Sequence, residues 1–124
     1  MNINLEQTIL RNLLTNEEYT RRVLPFLVPD YFDGVYKDLF KEVAKFVSKY
    51  NKIPTLESFK IEIDESGKLS EENYRQGMEL LPNIFTPESE NLDWLIERTE
   101  KWCQDRSVYN LSLIHISEPT RPFH

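Results

Sequence analysis

The spacing of apolar residues predicts helices throughout positions 1–110 of the chain. Near the start, apolar side chains recur at intervals of three and four residues and so share one face of a first helix: Leu5, Ile9, Leu10, Leu13 and Leu14. Asn16 is a suitable N-cap for a second helix, and Glu17 and Glu18 place negative charge in its first turn. We expect Pro25 to bend or shorten this second helix.

The middle of the chain predicts a long helix followed by a short one. The turn at positions 29–34 carries the aromatic residues that we expect to fill the core between helices, Tyr31 and Phe32. A long helix is predicted over positions 35–50, and the break at 51–54 ends it. Thr55 can cap a short fourth helix. The alternation at 60–64 also permits a brief strand, but a helix is preferred because no second strand is available for pairing.

Two further helices are predicted before position 110. Ser70 can cap a fifth helix, which we expect Pro82 to stop. Thr86-Pro87-Glu88 supplies a cap residue, a first-turn proline and an acid, so a sixth helix is expected to begin there and to run to Asn110. This last helix carries a seam with heptad spacing, made of Leu92, Leu95, Thr99, Trp102, Arg106 and Tyr109.

The seam is the candidate interface of the protein. A helix of about twenty residues is about 30 Å long, which is long for so small a domain. We expect its distal end to need a partner, either a second helical arm or another subunit. Trp102 and Tyr109 are aromatic residues of the kind that anchor interfaces, although Trp102 can equally belong to the core of its own domain.

Together these elements predict an all-α protein, a small bundle of about five helices plus one long C-terminal helix. The 124 residues allow one small domain, and 40% hydrophobic with 29% charged residues is an ordinary globular balance. The expected organisation is a globular domain over residues 1–86, the long helix over 87–110 and a tail over 111–124.

The tail does not continue the helical pattern of the preceding residues. Its segment Leu111–Arg121, LSLIHISEPTR, resembles the conceptual translation of a sequencing adapter. We therefore expect the tail to be foreign to the natural protein and disordered, and the natural reading frame to continue past Asn110.

Charge is unevenly distributed along the chain. The net charge is −6, which is unfavourable for autonomous nucleic-acid binding by the chain as a whole. Residues 1–60 carry nine basic and eight acidic side chains, and residues 61–124 carry six and thirteen. A lysine stripe recurs every fourth residue on the third helix and is either a solvated face or a surface for a partner: Lys37, Lys41, Lys45 and Lys49.

Most catalytic and metal chemistry is disfavoured by the residue types present. Both histidines, His115 and His124, lie in the tail, so residues 1–110 offer no histidine for a Ser–His or Cys–His pair. Cys103 is the one cysteine, which excludes an internal disulfide and a zinc cluster, and we expect it to be buried. No phosphate-binding G-x-x-x-x-G-K-[ST] sequence is present. We expect neither a cofactor nor a metal, and no long apolar segment predicts a membrane span.

The order of motifs resembles the N-terminal domain of DnaB-type replicative helicases, most closely those of T-even-type phages. LEQTILRNLL at residues 5–14 is similar to the family's opening helix, and Asp30-Tyr31-Phe32 to its Asp-Phe-Tyr/Phe element. Leu39-Phe40 matches an Ile-Phe pair in the third helix, and residues 51–55 match the loop that follows. DWLIERTEKWCQDRSVYN at residues 93–110 resembles the first arm of the family's helical hairpin.

The resemblance implies a role in protein–protein contact. In this family the N-terminal domains pair, form a collar above the ATPase ring and provide a surface for primase and loader proteins. It implies self-association in the cytoplasm of an infected bacterium, with contact to DNA only through the motor domain. This chain would not itself be an enzyme, whereas the parent helicase would use ATP and Mg²⁺. The alternatives are an unrelated small all-helical adaptor or regulator, and an enzyme that uses carboxylates alone.

Overall fold

The computed structural model describes residues 4–88 and 90–114, with side chains up to residue 108. These residues contain helices and no strand, which confirms the all-α class. The six α-helices are α1 (Leu5–Thr15), α2 (Glu17–Val23), α3 (Gly34–Tyr50), α4 (Leu56–Ser66), α5 (Glu71–Ile84) and α6 (Leu92–Ile114). Short 3₁₀ turns at Leu24–Phe26 and Pro29–Tyr31 connect α2 to α3.

Polar side chains cap the first turns of α2, α4 and α5, as the sequence predicts. The Asn16 side chain accepts a hydrogen bond from the Tyr19 amide at 3.1 Å and so caps α2. Thr55 caps α4 through a reciprocal capping box with Ser58, with bonds of 2.9 and 3.1 Å. Ser70 caps α5 by accepting from the backbone amide three residues later, at 3.1 Å. These three capping predictions are confirmed.

Helix α1 lies at the centre of the bundle and packs against α2, α3 and α5. Helix α4 contacts α3 and α5, whereas α6 contacts α2 and the 3₁₀ turn at Pro29–Tyr31. One continuous apolar core results, and α6 contributes to it together with the first five helices. Its fully buried members include Ile9, Leu10, Leu13, Tyr19, Phe32, Leu39, Phe59, Leu81 and Leu95.

Helices α3 and α5 pack closely at Gly77, with room for little more than a Cβ atom. A Cβ atom placed on this glycine would lie 3.4 Å from Cδ2 of Leu39 and 3.6 Å from Cγ2 of Val35. Because Gly77 has no side chain, the side chains of Leu39 and Val35 on α3 lie close to the backbone of α5 at this point.

Two prolines act differently from each other. Helix α2 ends at Val23 and a 3₁₀ turn containing Pro25 follows, so the expected shortening is confirmed. The prediction that Pro82 stops the fifth helix is wrong, because α5 continues to Ile84. Pro82 lies in the last turn, where a missing amide costs a single helical hydrogen bond, and the Phe85 amide still donates to the Leu81 carbonyl at 2.9 Å.

The start of the last helix also differs from the prediction. Helix α6 begins at Leu92, and the Asn91 side chain accepts from the Trp94 amide at 2.9 Å. The Thr86 hydroxyl instead donates to the Pro82 carbonyl at 2.8 Å, so it closes α5 and does not open α6. Helix α6 continues to Ile114, four residues into the expected tail, and residues 115–124 of that tail lie outside the described part of the chain.

The region over which a strand was possible is helical. Positions 60–64 lie within α4, with Phe59 and Ile63 buried on its inner face. The helical alternative is therefore confirmed.

Replacement of Gly77 by valine should lower the free energy of unfolding by about 1–3 kcal/mol, because the two methyl groups that valine carries on its Cβ atom would force α3 and α5 apart. Gly77→Ala should be nearly neutral, since a tight contact is offset by the better helix propensity of alanine. Urea denaturation followed by circular dichroism measures both. A Gly77→Val protein as stable as the original would contradict the close packing of these helices.

Candidate functional site

The inner face of α6 combines buried polar and aromatic side chains. Leu95, Thr99, Trp102 and Cys103 on this face are all buried. They lie against α2 and against the turn that joins α2 to α3. Five of the six seam residues predicted as an interface can be placed by their contacts, and those contacts are within the chain.

A buried hydrogen bond joins α6 to α2. The hydroxyl oxygens of Tyr19 and Thr99 lie 2.7 Å apart, and both residues are almost fully buried. Burial raises the pKa of Tyr19 above its ordinary value, so its hydroxyl remains protonated and available as a hydrogen-bond group. A threonine at this seam position satisfies a buried tyrosine that would otherwise lack a partner.

Trp102 continues this contact as part of an aromatic cluster. Its ring meets Tyr31 edge-on with centroids 6.0 Å apart, and it lies 5.0 Å from the ring of Phe32. Phe32 in turn stacks on Phe40 of α3 at 4.8 Å. Trp102 therefore belongs to the core of its own domain, and the expectation that the turn aromatics fill the core is confirmed.

Arg106 closes the end of this contact through charge. Its guanidinium lies 3.0 Å from the Asp33 carboxylate, 3.8 Å from the Glu6 carboxylate and 5.2 Å from the centroid of the Trp102 ring. Glu6 also accepts a hydrogen bond from the Asp33 amide at 2.8 Å. Burial nevertheless raises the pKa of Glu6, because desolvation outweighs the hydrogen bond from the Asp33 amide and the charge of Arg106, which both lower it.

Of the two remaining seam residues, the structure places one. Leu92 is half-buried and packs on the core, whereas the side chain of Tyr109 lies outside the described residues. A role for the seam in contact between chains therefore stays a prediction. The exposed apolar residues of α6 lie on its other side: Trp94 is 49% exposed and Val108 is 67% exposed.

The lysine stripe is less cationic than its sequence indicates. The Lys37 ammonium lies 3.2 Å from the Asp30 carboxylate, and the Lys45 ammonium lies 3.3 Å from that of Glu42. Lys41 is exposed, and Lys49 lies over the ring of the next residue at 5.2 Å. A spacing of four also rotates the stripe by about 120° around the helix from its first lysine to its last.

A shallow groove of about 270 Å³ runs between α2 and α6. Its lining includes Val23, Phe26, Ile96 and Cys103, with Arg22 at the edge. Burial raises the pKa of the Cys103 thiol to about 12, and the side chain is 1% exposed. Cys103 is thus buried, as the sequence predicts, and the raised pKa keeps its thiol protonated.

Within the described residues, no cluster of three or more histidine, cysteine, aspartate or glutamate side chains is arranged to hold a metal ion. A search of the same part of the chain for a helix with the length and apolar character needed to cross a bilayer finds none.

Comparison with known proteins gives one informative similarity. The chain is 28% identical over 105 residues to a protein described as a DnaB-like replicative helicase of Enterobacteria phage T4. This similarity indicates a DnaB-like relationship. The matched region is 84% of this chain and 22% of that relative, so the chain spans about a fifth of the relative's length. No family model matches the chain.

Sequence reasoning identified the seam but not the residues that it contacts. Tyr19 lies 80 positions from Thr99, and Asp33 lies 73 positions from Arg106. The polar residues within an otherwise apolar seam were the one available signal, because a buried polar side chain requires a partner.

Replacement of Thr99 by valine should lower the free energy of unfolding by about 1–3 kcal/mol, because the buried Tyr19 hydroxyl loses its partner. The double variant Tyr19→Phe with Thr99→Val removes both polar groups and should recover part of this loss. Urea titrations of the two single variants and the double variant complete the thermodynamic cycle. Strictly additive losses would show that the two hydroxyls are not coupled.

Alkaline pH should destabilise the protein through Cys103. The thiol ordinarily releases its proton near 9.0 but does so at about 12 in the folded chain. The unfolded chain therefore loses the proton first, and stability should fall between these values by up to about 1.4 kcal/mol per pH unit. The measurement is the free energy of unfolding from pH 8 upward, as a difference from Cys103→Ala. The other alkaline titrations cancel in this difference, and a flat difference would contradict the prediction.

Proposed function

We propose that this chain is the N-terminal interaction domain of a DnaB-like replicative helicase. The domain contributes to a collar by self-association, and it offers a surface to primase or to a helicase loader in the cytoplasm of the infected host. The observation that carries this proposal is the similarity to the phage T4 replicative helicase over 105 residues. The all-helical architecture and the long last helix support it.

ATP hydrolysis is assigned to the remainder of the parent protein. The chain has no G-x-x-x-x-G-K-[ST] sequence and only three glycines, so it lacks the backbone cradle that such motors use for phosphates. ATP and Mg²⁺ are therefore cofactors of the proposed parent, and this chain acts through contacts between proteins.

The outer face of α6 supplies a surface for self-association. Trp94 and Val108 are exposed, lie fourteen positions apart and differ by about 40° in direction around the helix. They therefore stand about 21 Å apart on one side of the helix, about 110° and 150° around it from the middle of the seam. An exposed tryptophan is the type of side chain that most often anchors an interface.

Sedimentation velocity of the full chain at increasing concentration tests self-association. We expect reversible dimers, and we expect Trp94→Glu with Val108→Glu to shift the population to monomer because both apolar anchors become charged. Ile61→Glu on α4 is the matched control, since Ile61 is an apolar residue 52% exposed on another surface. Isothermal titration calorimetry with the primase and the loader of the parent phage measures whether the domain binds either protein.

A monomer at all concentrations that binds neither protein would contradict the collar and docking role and would favour an unrelated helical adaptor. Dimers that are insensitive to the α6 substitutions but sensitive to Ile61→Glu would place the interface on another surface.

A further inference from the structure

A basic and aromatic surface lies where the C-terminal end of α3 meets α2, and the proposed function leaves it unused. We call it the α3-end surface and define it by Arg21, Lys49, Tyr50 and Lys52. Residues 41–52 carry four lysines and one carboxylate, a local charge of +3 in a chain whose net charge is −6. Within that segment Glu42 is buried and paired with Lys45. The α3-end surface itself carries three cations, and one carboxylate, Glu17, lines the notch beside Arg21 and Lys52, so an excess of two positive charges remains.

A notch of about 140 Å³ brings two of these cations together. Arg21 of α2 and Lys52, which follows α3, both line it, together with Asn51 and Glu17. Asn51 adopts a left-handed conformation with φ of 57°, which ends α3 and turns the chain back toward α2. Among the described residues, the ion pairs include neither Arg21 nor Lys52.

An exposed aromatic residue, Tyr50, directly precedes the notch residues Asn51 and Lys52 in sequence. Tyr50 is 47% exposed, and its ring lies 4.7 Å from that of Phe46, which holds it in place from the preceding turn. The Lys49 ammonium lies 5.2 Å from the Tyr50 centroid. A planar ligand could take the position of that ammonium on the ring, and the lysine could then move to an adjacent anion.

We propose that the α3-end surface binds single-stranded nucleic acid. Arg21, Lys49 and Lys52 contact phosphates, and a base stacks on Tyr50. The combination of clustered cations with an exposed, supported aromatic ring is what sequence-independent binding of single strands uses. An acidic protein segment would use the cations but would leave the exposed ring without a role. The inference goes beyond the proposed function, which gives this domain no contact with nucleic acid.

Fluorescence anisotropy with a labelled oligothymidylate of about fifteen nucleotides tests the proposal on the full chain. Binding should weaken with salt, with a slope of about −2 in log K against log salt if three phosphates are contacted. Tyr50→Ala should weaken binding about tenfold, and Tyr50→Phe should retain it because the aromatic face remains. Lys49→Glu with Lys52→Glu should abolish binding.

Two matched controls separate the surface from general effects. Phe26→Ala removes a ring of similar exposure, 43%, from the 3₁₀ turn that follows α2. Lys60→Glu with Lys68→Glu makes the same change in net charge away from the α3-end surface. Both variants should bind like the original protein, and circular dichroism checks that every variant is folded.

Three results would overturn the proposal. The first is no binding by the original protein at about 50 mM salt. The second is equal loss of binding in the charge variants and their controls. The third is displacement of the oligonucleotide by polyglutamate together with no effect of Tyr50→Ala, which would identify an acidic protein segment as the partner.

Discussion

The hydrogen bond between Tyr19 and Thr99 is the constraint on which the position of the last helix depends. It joins α2 to α6 in the interior, where an unpaired hydroxyl would cost about 1–3 kcal/mol. With this bond made, the next turn of α6 places Trp102 on the aromatic turn, and the turn after that places Arg106 beside Glu6 and Asp33. Three successive helical turns therefore use polar, aromatic and ionic contacts to fix one orientation.

Much of the fold could be predicted from sequence because its determinants are local. Asn16, Thr55 and Ser70 each cap the helix that follows within three residues, and the apolar spacing gives the inward face of each helix. The errors also arise from local chemistry that has two solutions. Thr86 could cap the start of one helix or the end of another. Its hydroxyl donates to the Pro82 carbonyl, so it lies at the end of α5.

The candidate site was less accessible to sequence reasoning because its contacts are distant along the chain. The spacing of Thr99, Trp102 and Arg106 shows that they share a face but not what covers it. The same spacing is compatible with a contact between chains and with a core inside one chain. Only the structure shows that Tyr19 and Glu6 are desolvated by contacts within this chain. The lysine stripe has the same difficulty. Lys37 pairs with Asp30 in the turn before α3, and helical periodicity does not show how that turn lies against the helix.

The link between Arg106 and the first helix has a consequence for synthesis on the ribosome. Glu6 and Tyr19 emerge early, but the residues that satisfy them, Arg106 and Thr99, are translated much later. Until α6 leaves the exit tunnel, the first five helices have an open flank that exposes Phe32 and a tyrosine hydroxyl to solvent or to chaperones. The nascent domain therefore completes its core in a late step, because α6 follows the other five helices in the chain.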